Sequence, residues 1–222
     1  MRQYKAIIFD LDGVVINTEP LHARAKRMAF EHYGVDVPED MYAEFRGRAD
    51  RDMVEGVVEQ FGPPSLEWKK VLARKDELFN ELEHEIELIP GVADFIALAR
   101  QHFEKLAMVT SATRRNQEYA LRRFGLESFF DVVVTANETT RTKPDPEPYL
   151  TALSKLAIEP ELCLVVEDST HGIAAANAAG CEVVAITTSF SSDELAKANP
   201  RHIVGSYKEL TSLLDLQTNV EP

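Results

Sequence analysis

The sequence predicts an α/β protein in which a parallel sheet carries helices on both faces and a helical block follows the first strand. Residues 4–10 form an apolar run typical of a buried strand. From Pro90 onward, short apolar runs alternate with segments of helical periodicity, the pattern of a parallel sheet. Residues 17–88 carry helical periodicity and no convincing strand. We therefore expect a core of 1–16 and 89–222, with 17–88 inserted as a helical cap over the strand ends.

The elements follow from hydrophobic periodicity and from turn residues. In the insert, Thr18 and Gly34 are the expected start and stop of a first helix, and two more helices are expected at 39–60 and 65–87. The strand at 4–10 must join the core sheet, because alone it cannot bury its two faces. The remaining strands are predicted at 105–110, 131–136, 162–168 and 182–187. The core helices are predicted at 94–103, 114–124, 146–157, 170–179, 192–199 and 207–215.

Composition narrows the possible partners and the compartment. The chain has 222 residues, 45% of them hydrophobic, and a net charge of −13, which argues against general nucleic-acid binding because phosphate backbones would be repelled. No apolar run reaches membrane-spanning length, and the first residues do not resemble a signal peptide. Cys163 and Cys181 lie beside apolar runs and show no zinc-binding spacing, so we expect buried thiols, a reducing compartment and a cytoplasmic location.

Polar side chains follow several of the predicted core strands. Because ligands of open α/β sheets bind at the carboxyl ends of the strands, we expect these side chains to converge. Clustered carboxylates repel one another unless a cation neutralises them, and Mg²⁺ prefers oxygen ligands of this kind. A magnesium ion beside a lysine and a hydroxyl donor is a phosphate-binding arrangement. The converging residues are Asp10, Asp12, Thr110, Ser111, Lys143, Glu167 and Asp168.

Four segments in order resemble the motifs of the haloacid dehalogenase superfamily, in particular its β-phosphoglucomutase-like and phosphoglycolate phosphatase-like branch. They read FDLDGVVINTE, VTSAT, TKPDPEPY and VVEDSTHGIAAANAAG. The match covers residues 4–16 and 89–190, and it is specific as a set although each motif alone is common. The resemblance implies a Rossmann-like core, a helical cap inserted after the first strand, and phosphoryl transfer through an aspartyl phosphate.

The first motif supplies the two catalytic candidates. Asp10, at the strand tip, is suited to attack phosphorus and form the covalent intermediate. Asp12, two residues on, would point to the same side, protonate the leaving group and later deprotonate the attacking water.

The other site residues are implied by the resemblance. It implies Mg²⁺ held by the Asp10 side chain, the Asp12 backbone carbonyl and Asp168, with Glu167 acting directly or through water. It also implies that Thr110 and the Ser111 backbone N–H bind the phosphoryl oxygens, and that Lys143 pairs with both nucleophile and phosphate. The list of expected ligands and phosphate-binding residues is then Asp10, Asp12, Glu167, Asp168, Thr110, Ser111 and Lys143.

The cap offers weaker candidates for substrate contact. His22 lies where the mutase branch places a substrate-site histidine, although a lone histidine is more often structural or on the surface. The arginine-rich segment 45–55 could bring Arg46, Arg48 or Arg51 onto an anionic substrate. Aligned from Gly47, the position of the mutase arginine is Asp50 and the nearest arginine is Arg51. This departure, and the lack of a convincing match for the mutase's cap lysine, weighs against mutase-type recognition.

The same residues also allow simpler interpretations, in which they have structural roles only. Asp12-Gly13 could form an ordinary turn, and Lys143 could be a surface lysine. Thr110 and Ser111, or Glu167 and Asp168, could serve as helix caps, and His171 could support a metal site from behind.

The favoured function is a Mg²⁺-dependent phosphatase of a small sugar-like or organic-acid phosphate, without nucleic acid, membrane or obligate protein partner. The alternative is a phosphosugar mutase, which shares the core chemistry and differs in the cap. A dehalogenase is disfavoured by Asp12, because a leaving halide needs no acid. A non-catalytic binding protein on the same scaffold is disfavoured by the complete motif set.

Overall fold

A computed structural model describes residues 4–44 and 50–217. The chain divides into two compact units, one formed by Met1–Asn17 with Glu87–Pro222 and the other by Thr18–Ile86. The first unit contains the sheet and all residues expected at its carboxyl edge. The second contains the helices of the insert.

The core is a six-stranded parallel sheet, which confirms the predicted Rossmann-like fold class. The strands follow the order β5-β4-β1-β6-β7-β8, so the first strand lies at the centre of the sheet. Ile8 is in register with Ala107 on one side and with Val165 on the other. The strands of the chain are β1 (Ala6–Phe9), β2 (Ile16–Asn17), β3 (Glu87–Leu88), β4 (Lys105–Val109), β5 (Val132–Val134), β6 (Cys163–Glu167), β7 (Glu182–Ile186) and β8 (His202–Val204).

The insert is helical over its described residues. Its first and last long helices are amphipathic and pack on each other, with Leu21 and Ala25 buried on the first and Leu78 and Phe79 on the last. Thr18 takes the N-cap position of the first helix, and Gly34 lies just beyond its end with a positive φ of 67°. The helices are α1 (Glu19–His32), α2 (Glu39–Glu44), α3 (Asp50–Phe61) and α4 (Trp68–Leu82).

Within the described residues, six further α-helices flank the core sheet. Thr113 caps the second of them by accepting from the Asn116 backbone N–H, and Gly125 ends that helix in the left-handed conformation. On one face of the sheet, Ala107 and Val165 pack in a core cluster that includes Tyr149. The core helices are α5 (Val92–His102), α6 (Arg114–Phe124), α7 (Glu147–Leu156), α8 (Thr170–Ala178), α9 (Ser192–Ala196) and α10 (Tyr207–Leu213).

Three features differ from the sequence-based expectation. β2 and β3 form a two-residue antiparallel pair at the two ends of the insert, too short for a periodicity to reveal. β8 adds an edge strand of three residues, between the two last helices. The helix expected at 39–60 is described as α2 and α3, on either side of residues 45–49.

None of the helices in the described ranges combines the length and apolar character needed to cross a lipid bilayer.

Candidate active site

The central position of β1 brings three strand ends together. Asp10 follows β1 directly, and its backbone N–H donates to the Val166 carbonyl of β6 at 3.1 Å. Thr110 follows β4, and Glu167 is the last residue of β6. Because the three strands are parallel neighbours, their polar ends meet at one edge of the sheet.

Lys143 lies among these ends, although it comes from the loop before α7. Its ammonium donates to Asp10 Oδ1 at 2.7 Å and to Glu167 Oε1 at 2.7 Å. It also donates to the Val109 carbonyl at 3.1 Å. The Lys143 side chain is 8% exposed and that of Glu167 is fully buried, so these are buried charge-assisted contacts rather than surface pairs.

The Glu167 carboxylate is fully engaged by donors. Oε1 accepts from Lys143 and from the Tyr149 hydroxyl, the latter at 2.9 Å. Oε2 accepts from the Asp168 N–H at 3.0 Å and from the Ser169 N–H and hydroxyl at 3.2 and 3.0 Å. The carboxylate is thereby fixed in orientation at the end of β6.

Burial and charge shift the pKa values of the cluster in different directions. Burial raises the pKa of Asp10 to about 7, against the lowering effect of the Lys143 charge. Burial, together with the charges of Glu167 and Asp10, raises the pKa of Asp168 well above its usual value. Burial alone would also raise the pKa of Glu167, but the Lys143 charge and the donated hydrogen bonds hold it below its usual value. With all three carboxyls ionised, the negative charge of the cluster would exceed what the Lys143 ammonium compensates, and the raised pKa values of Asp10 and Asp168 are the response to burial and this repulsion.

This excess is what a hard divalent cation would neutralise. Ligand oxygens of Asp10, Glu167 and Asp168 lie within 4.8 Å of one another, and all three residues are buried. A set of buried carboxylate oxygens is the donor chemistry that Mg²⁺ prefers. The residues present therefore fit a magnesium ion.

The loop after β1 is held tightly against this cluster. The Gly13 N–H donates to the Ile16 carbonyl at 2.7 Å, and the Thr188 hydroxyl donates to the Gly13 carbonyl. Gly13 has a φ of +73°, and a Cβ atom there would lie 1.8 Å from Asp168 Oδ2. Only glycine allows this turn to approach the carboxylate so closely.

Thr110 and Asp12 lie next to each other across the strand ends. The Thr110 hydroxyl is 3.5 Å from Asp12 Oδ2, to which it donates a long hydrogen bond, and it accepts from the Ala112 N–H at 2.9 Å. Thr110 is 3% exposed, whereas Ser111 is exposed. The cap of α6 is Thr113, so neither Thr110 nor Ser111 serves as that cap.

The cap of α8 is equally distinct from the acidic pair. Ser169 takes the N-cap position, and its hydroxyl accepts from the Gly172 N–H at 3.0 Å. Glu167 and Asp168 therefore precede the cap, and their side chains belong to the cluster. His171 is exposed in the first turn of α8.

The insert contains a second polar cluster of its own. The His22 ring stacks on Phe79, with centroids 4.0 Å apart and planes at 5°, and its buried Nδ1 atom has no hydrogen-bond partner among the described residues. Asp50 pairs with Lys75 at 2.5 Å and with Lys26 at 3.0 Å. Burial and the nearby Lys75 charge lower the pKa of His22 to about 3.

The arginine candidates of the insert have different positions. The Arg51 side chain is 64% exposed, pairs with Glu55 at 3.4 Å and lies 5.2 Å from the Trp68 ring centroid. Arg46 and Arg48 lie outside the described residues. Within the described part of the insert, the cations beside His22 are lysines.

Sequence reasoning missed Lys75 and Tyr149. Lys75 interrupts the apolar stripe of α4 and is 4% exposed, so a lysine at an apolar position was the available signal. Tyr149 lies on the buried face of α7, six residues after Lys143, and its hydroxyl gives it a polar end in an otherwise apolar position. The contact of Lys75 with Asp50 and that of Tyr149 with Glu167 do not follow from spacing alone, because each joins two different elements.

Comparison with known proteins agrees with this geometry. Residues 7–186 match the model of the haloacid dehalogenase-like hydrolase family. The chain is 39% identical over 181 residues to a phosphorylated carbohydrates phosphatase of Thermotoga maritima, covering 80% of this chain and 82% of that protein. It is 33% identical over 204 residues to a validoxylamine A 7'-phosphate phosphatase of Streptomyces hygroscopicus subsp. limoneus, covering 88% and 92%.

A solved structure has the same fold. The crystal structure of CbbY from Rhodobacter sphaeroides in complex with phosphate superposes with a TM-score of 0.80 at 31% identity, covering 96% of this chain and all of that one. The sheet order, the buried acidic cluster with its lysine, and the family match all concern the same residues. The chain belongs to the haloacid dehalogenase-like hydrolases.

Proposed function

We propose that this protein is a Mg²⁺-dependent phosphatase that hydrolyses a small phosphorylated metabolite through an aspartyl phosphate on Asp10. The observation that carries the proposal is the contact of Lys143 Nζ with Asp10 Oδ1 at 2.7 Å, inside a buried cluster with Glu167 and Asp168. A nucleophilic carboxylate beside one fixed ammonium and a cation site is the arrangement that phosphoryl transfer requires.

The first half of the reaction transfers the phosphoryl group to the protein. A carboxylate oxygen of Asp10 attacks phosphorus, a new P–O bond forms, and the bond to the leaving oxygen of the substrate breaks. Asp12 gives its proton to that leaving oxygen, so the product departs as an alcohol. Lys143 stays beside Asp10 and stabilises the negative charge of the transferring group.

The second half restores the enzyme. Asp12, now a carboxylate, takes a proton from a water molecule whose oxygen attacks phosphorus. The P–O bond to Asp10 breaks, and inorganic phosphate leaves. Thr110 and the Ser111 N–H would donate to the phosphoryl oxygens throughout. The buried position of Thr110 beside Asp12 supports this role for its hydroxyl.

Asp10, Asp168 and the Asp12 backbone carbonyl would hold Mg²⁺, with Glu167 behind them through a water molecule. Five donated hydrogen bonds already occupy the Glu167 carboxylate, which supports the indirect role. When bound, the ion supplies Lewis-acid stabilisation of the phosphoryl oxygens and charge compensation for the cluster.

Sugar phosphates are the first substrates to test, with organic-acid phosphates second. The relatives named as phosphatases of phosphorylated carbohydrates and of validoxylamine A 7'-phosphate support this order. No nucleic-acid, membrane or obligate protein partner enters the proposal. A cytoplasmic location is part of it, and the free and buried thiols of Cys163 and Cys181 favour such a reducing compartment.

The test is phosphate release from a panel of sugar and organic-acid phosphates, with Mg²⁺ or with EDTA. We expect Mg²⁺-dependent release by the wild type and a loss of about a thousandfold or more in Asp10→Asn. Asp131→Asn is the matched control, because Asp131 pairs with Arg100 and Lys105 away from the acidic cluster. Acid-quenched wild type should carry one phosphoryl group by mass spectrometry, and Asp10→Asn should carry none.

Two outcomes would contradict the proposal. Isomerisation of β-glucose 1-phosphate with a bisphosphate primer, without phosphate release, would indicate the mutase instead. An unchanged rate in Asp10→Asn, in preparations free of contaminating phosphatase, would remove the nucleophile from the mechanism.

A further inference from the structure

Tyr149 is buried at the base of the acidic cluster. Its side chain is fully buried in α7, on the face that also carries Ala152, Leu153 and Leu156. An apolar stripe of this kind needs no hydroxyl, and a buried hydroxyl is costly unless it is hydrogen-bonded. The Tyr149 hydroxyl donates to Glu167 Oε1 at 2.9 Å.

Tyr149 contacts both members of the buried ion pair. The Lys143 ammonium lies 5.1 Å from the Tyr149 ring centroid and 2.7 Å from the same Glu167 Oε1 that the tyrosine hydroxyl reaches. The phenol thus provides a hydrogen bond to the anion and a polarisable ring face to the cation. These contacts fix the two side chains relative to each other.

Contacts other than the Tyr149 hydrogen bond restrict the Oε2 side of the Glu167 carboxylate and the space around it. Its Oε2 atom accepts from Asp168 and Ser169, and a Cβ atom at Gly172 would lie 1.7 Å from Oε1. Oε1 is the atom that holds Lys143, and its hydrogen bond from Tyr149 is the contact that a single conservative substitution can remove. Without that donor, Lys143 is the one remaining donor to Oε1 within the described ranges, and the atom is buried.

We propose that Tyr149 is a positioning residue of the phosphoryl-transfer centre, whose hydroxyl fixes Glu167 so that Glu167 holds Lys143 on Asp10. The expected effect on kcat rests on the proposed function. The expected effect on the position of the Lys143 ammonium rests on geometry alone. Lys143 distributes its donors among Asp10, Glu167 and the Val109 carbonyl. A shift of the Glu167 carboxylate would therefore change how the ammonium is aimed at Asp10.

The test is Tyr149→Phe, which removes the hydroxyl and keeps the ring and its packing. Tyr4→Phe is the matched control, because the Tyr4 hydroxyl also donates to a glutamate, Glu182, at the opposite ends of the strands. Equilibrium unfolding in urea first establishes that both variants fold. Phosphate release with saturating Mg²⁺ then gives kcat and KM for each.

We expect kcat to fall about tenfold in Tyr149→Phe, the effect of one lost buried hydrogen bond in the transition state. KM should stay within about twofold, because the hydroxyl is buried and acts through its hydrogen bond to Glu167. Tyr4→Phe should keep both constants. If Tyr149 had only a structural role, Tyr149→Phe would lower the unfolding midpoint, as we expect of Tyr4→Phe, and would leave kcat unchanged.

A second readout uses the metal-free protein and needs no turnover. Nitrogen-15 spectra of the lysine ammonium groups should show a protected Lys143 signal in the wild type, assigned by its loss in Lys143→Met. We expect Tyr149→Phe to shift or broaden this signal and Tyr4→Phe to leave it in place. An unchanged Lys143 signal together with wild-type kcat in Tyr149→Phe would overturn the proposal.

The two readouts separate this inference from the proposed function. If the wild type released no phosphate from any compound of the panel, the proposed function would fail. The Lys143 signal would still report whether Tyr149 fixes the ion pair. If phosphate release occurred and Tyr149→Phe matched the wild type in kcat and spectrum, only the positioning role would fail.

Discussion

Lys143 Nζ lies 2.7 Å from Asp10 Oδ1, although 133 positions of sequence separate the two residues. The side chains are only 8% and 11% exposed, so water does little to screen the pair. The contact exists because β1 lies inside the sheet and the loop before α7 brings Lys143 to its carboxyl end, where it also contacts the Val109 carbonyl. Stability and the proposed chemistry therefore depend on the same pair, and the two can be measured separately.

Replacing Lys143 by methionine removes the cation and retains the bulk of the side chain. Asp10 and Glu167 would then be buried without their common counter-charge. We expect the free energy of unfolding to fall by about 3 kcal/mol or more without divalent cations, since breaking a buried pair leaves uncompensated charge. Urea denaturation at neutral pH measures the loss.

Lys105→Met is the control for that measurement. Lys105 also pairs with an aspartate, Asp131 at 2.9 Å, but its side chain is 45% exposed. An exposed pair contributes little, so we expect a change below about 1 kcal/mol. Equal losses in the two variants would contradict the buried-pair account.

Asp168 and Glu167 are expected to differ in their effect on metal binding. Asp168→Asn removes a proposed direct ligand and should weaken Mg²⁺ binding at least about tenfold. Glu167→Gln should affect Mg²⁺ affinity less, because the carboxylate already accepts from Lys143 and Tyr149. Isothermal titration of each metal-free variant with Mg²⁺ gives the comparison. A larger loss in Glu167→Gln than in Asp168→Asn would reassign the direct ligand.

Gly13→Ala tests the close approach of the β1 loop to the cluster. The added Cβ atom would meet Asp168 Oδ2 at 1.8 Å and Ser189 Oγ at 2.6 Å, so the Asp168 carboxylate must move. We expect Mg²⁺ affinity to fall about tenfold or more, in addition to a loss of stability from the positive φ. Titration calorimetry and urea denaturation measure the two effects.

Gly125→Ala separates those effects. Gly125 has a φ of +66° at the end of α6, and a Cβ atom there would meet no atom of the described part of the chain within 4 Å. The Gly125→Ala variant should lose stability through backbone strain and keep the wild-type affinity for Mg²⁺. If both alanine variants bound Mg²⁺ equally, contact with Asp168 would not be the cause.

His22 is expected to make the stability of the protein depend on pH below neutrality. Its pKa is about 3 in the folded protein, against an ordinary value of 6.5, so the unfolded chain binds a proton first as the pH falls. The neutral His22 therefore makes its full contribution to the free energy of unfolding above about pH 6.5. This contribution is lost progressively as the pH falls towards about 3. Between about pH 6.5 and 5 the loss is about 2 kcal/mol, from about 1.4 kcal/mol per pH unit.

His22→Asn should remove that component. Urea denaturation at several pH values should give a shallower pH dependence than the wild type. His84→Asn, at an exposed histidine of the same unit, is the matched control for the substitution itself. A wild-type slope in His22→Asn would mean that the ring is protonated in the folded protein.

The candidate site shows which contacts spacing can predict. Asp10, Thr110 and Glu167 each end a strand of the sheet, so the alternating pattern of strands and helices was enough to bring them to one edge. The fold class followed from the same pattern. The short strands β2, β3 and β8 could not be predicted, because two or three residues carry no periodicity.

By itself, the sequence determined a parallel sheet interrupted by a helical insert, and the residues that this sheet must gather at its carboxyl edge. The physical reason is that backbone hydrogen bonding and apolar burial act locally and leave periodic signatures. Only the tertiary structure decided that Tyr149 meets Glu167 and that Lys75 meets Asp50. Those contacts depend on how α7 and α4 are rotated against their neighbours, and side-chain packing sets this rotation across elements that are distant in sequence.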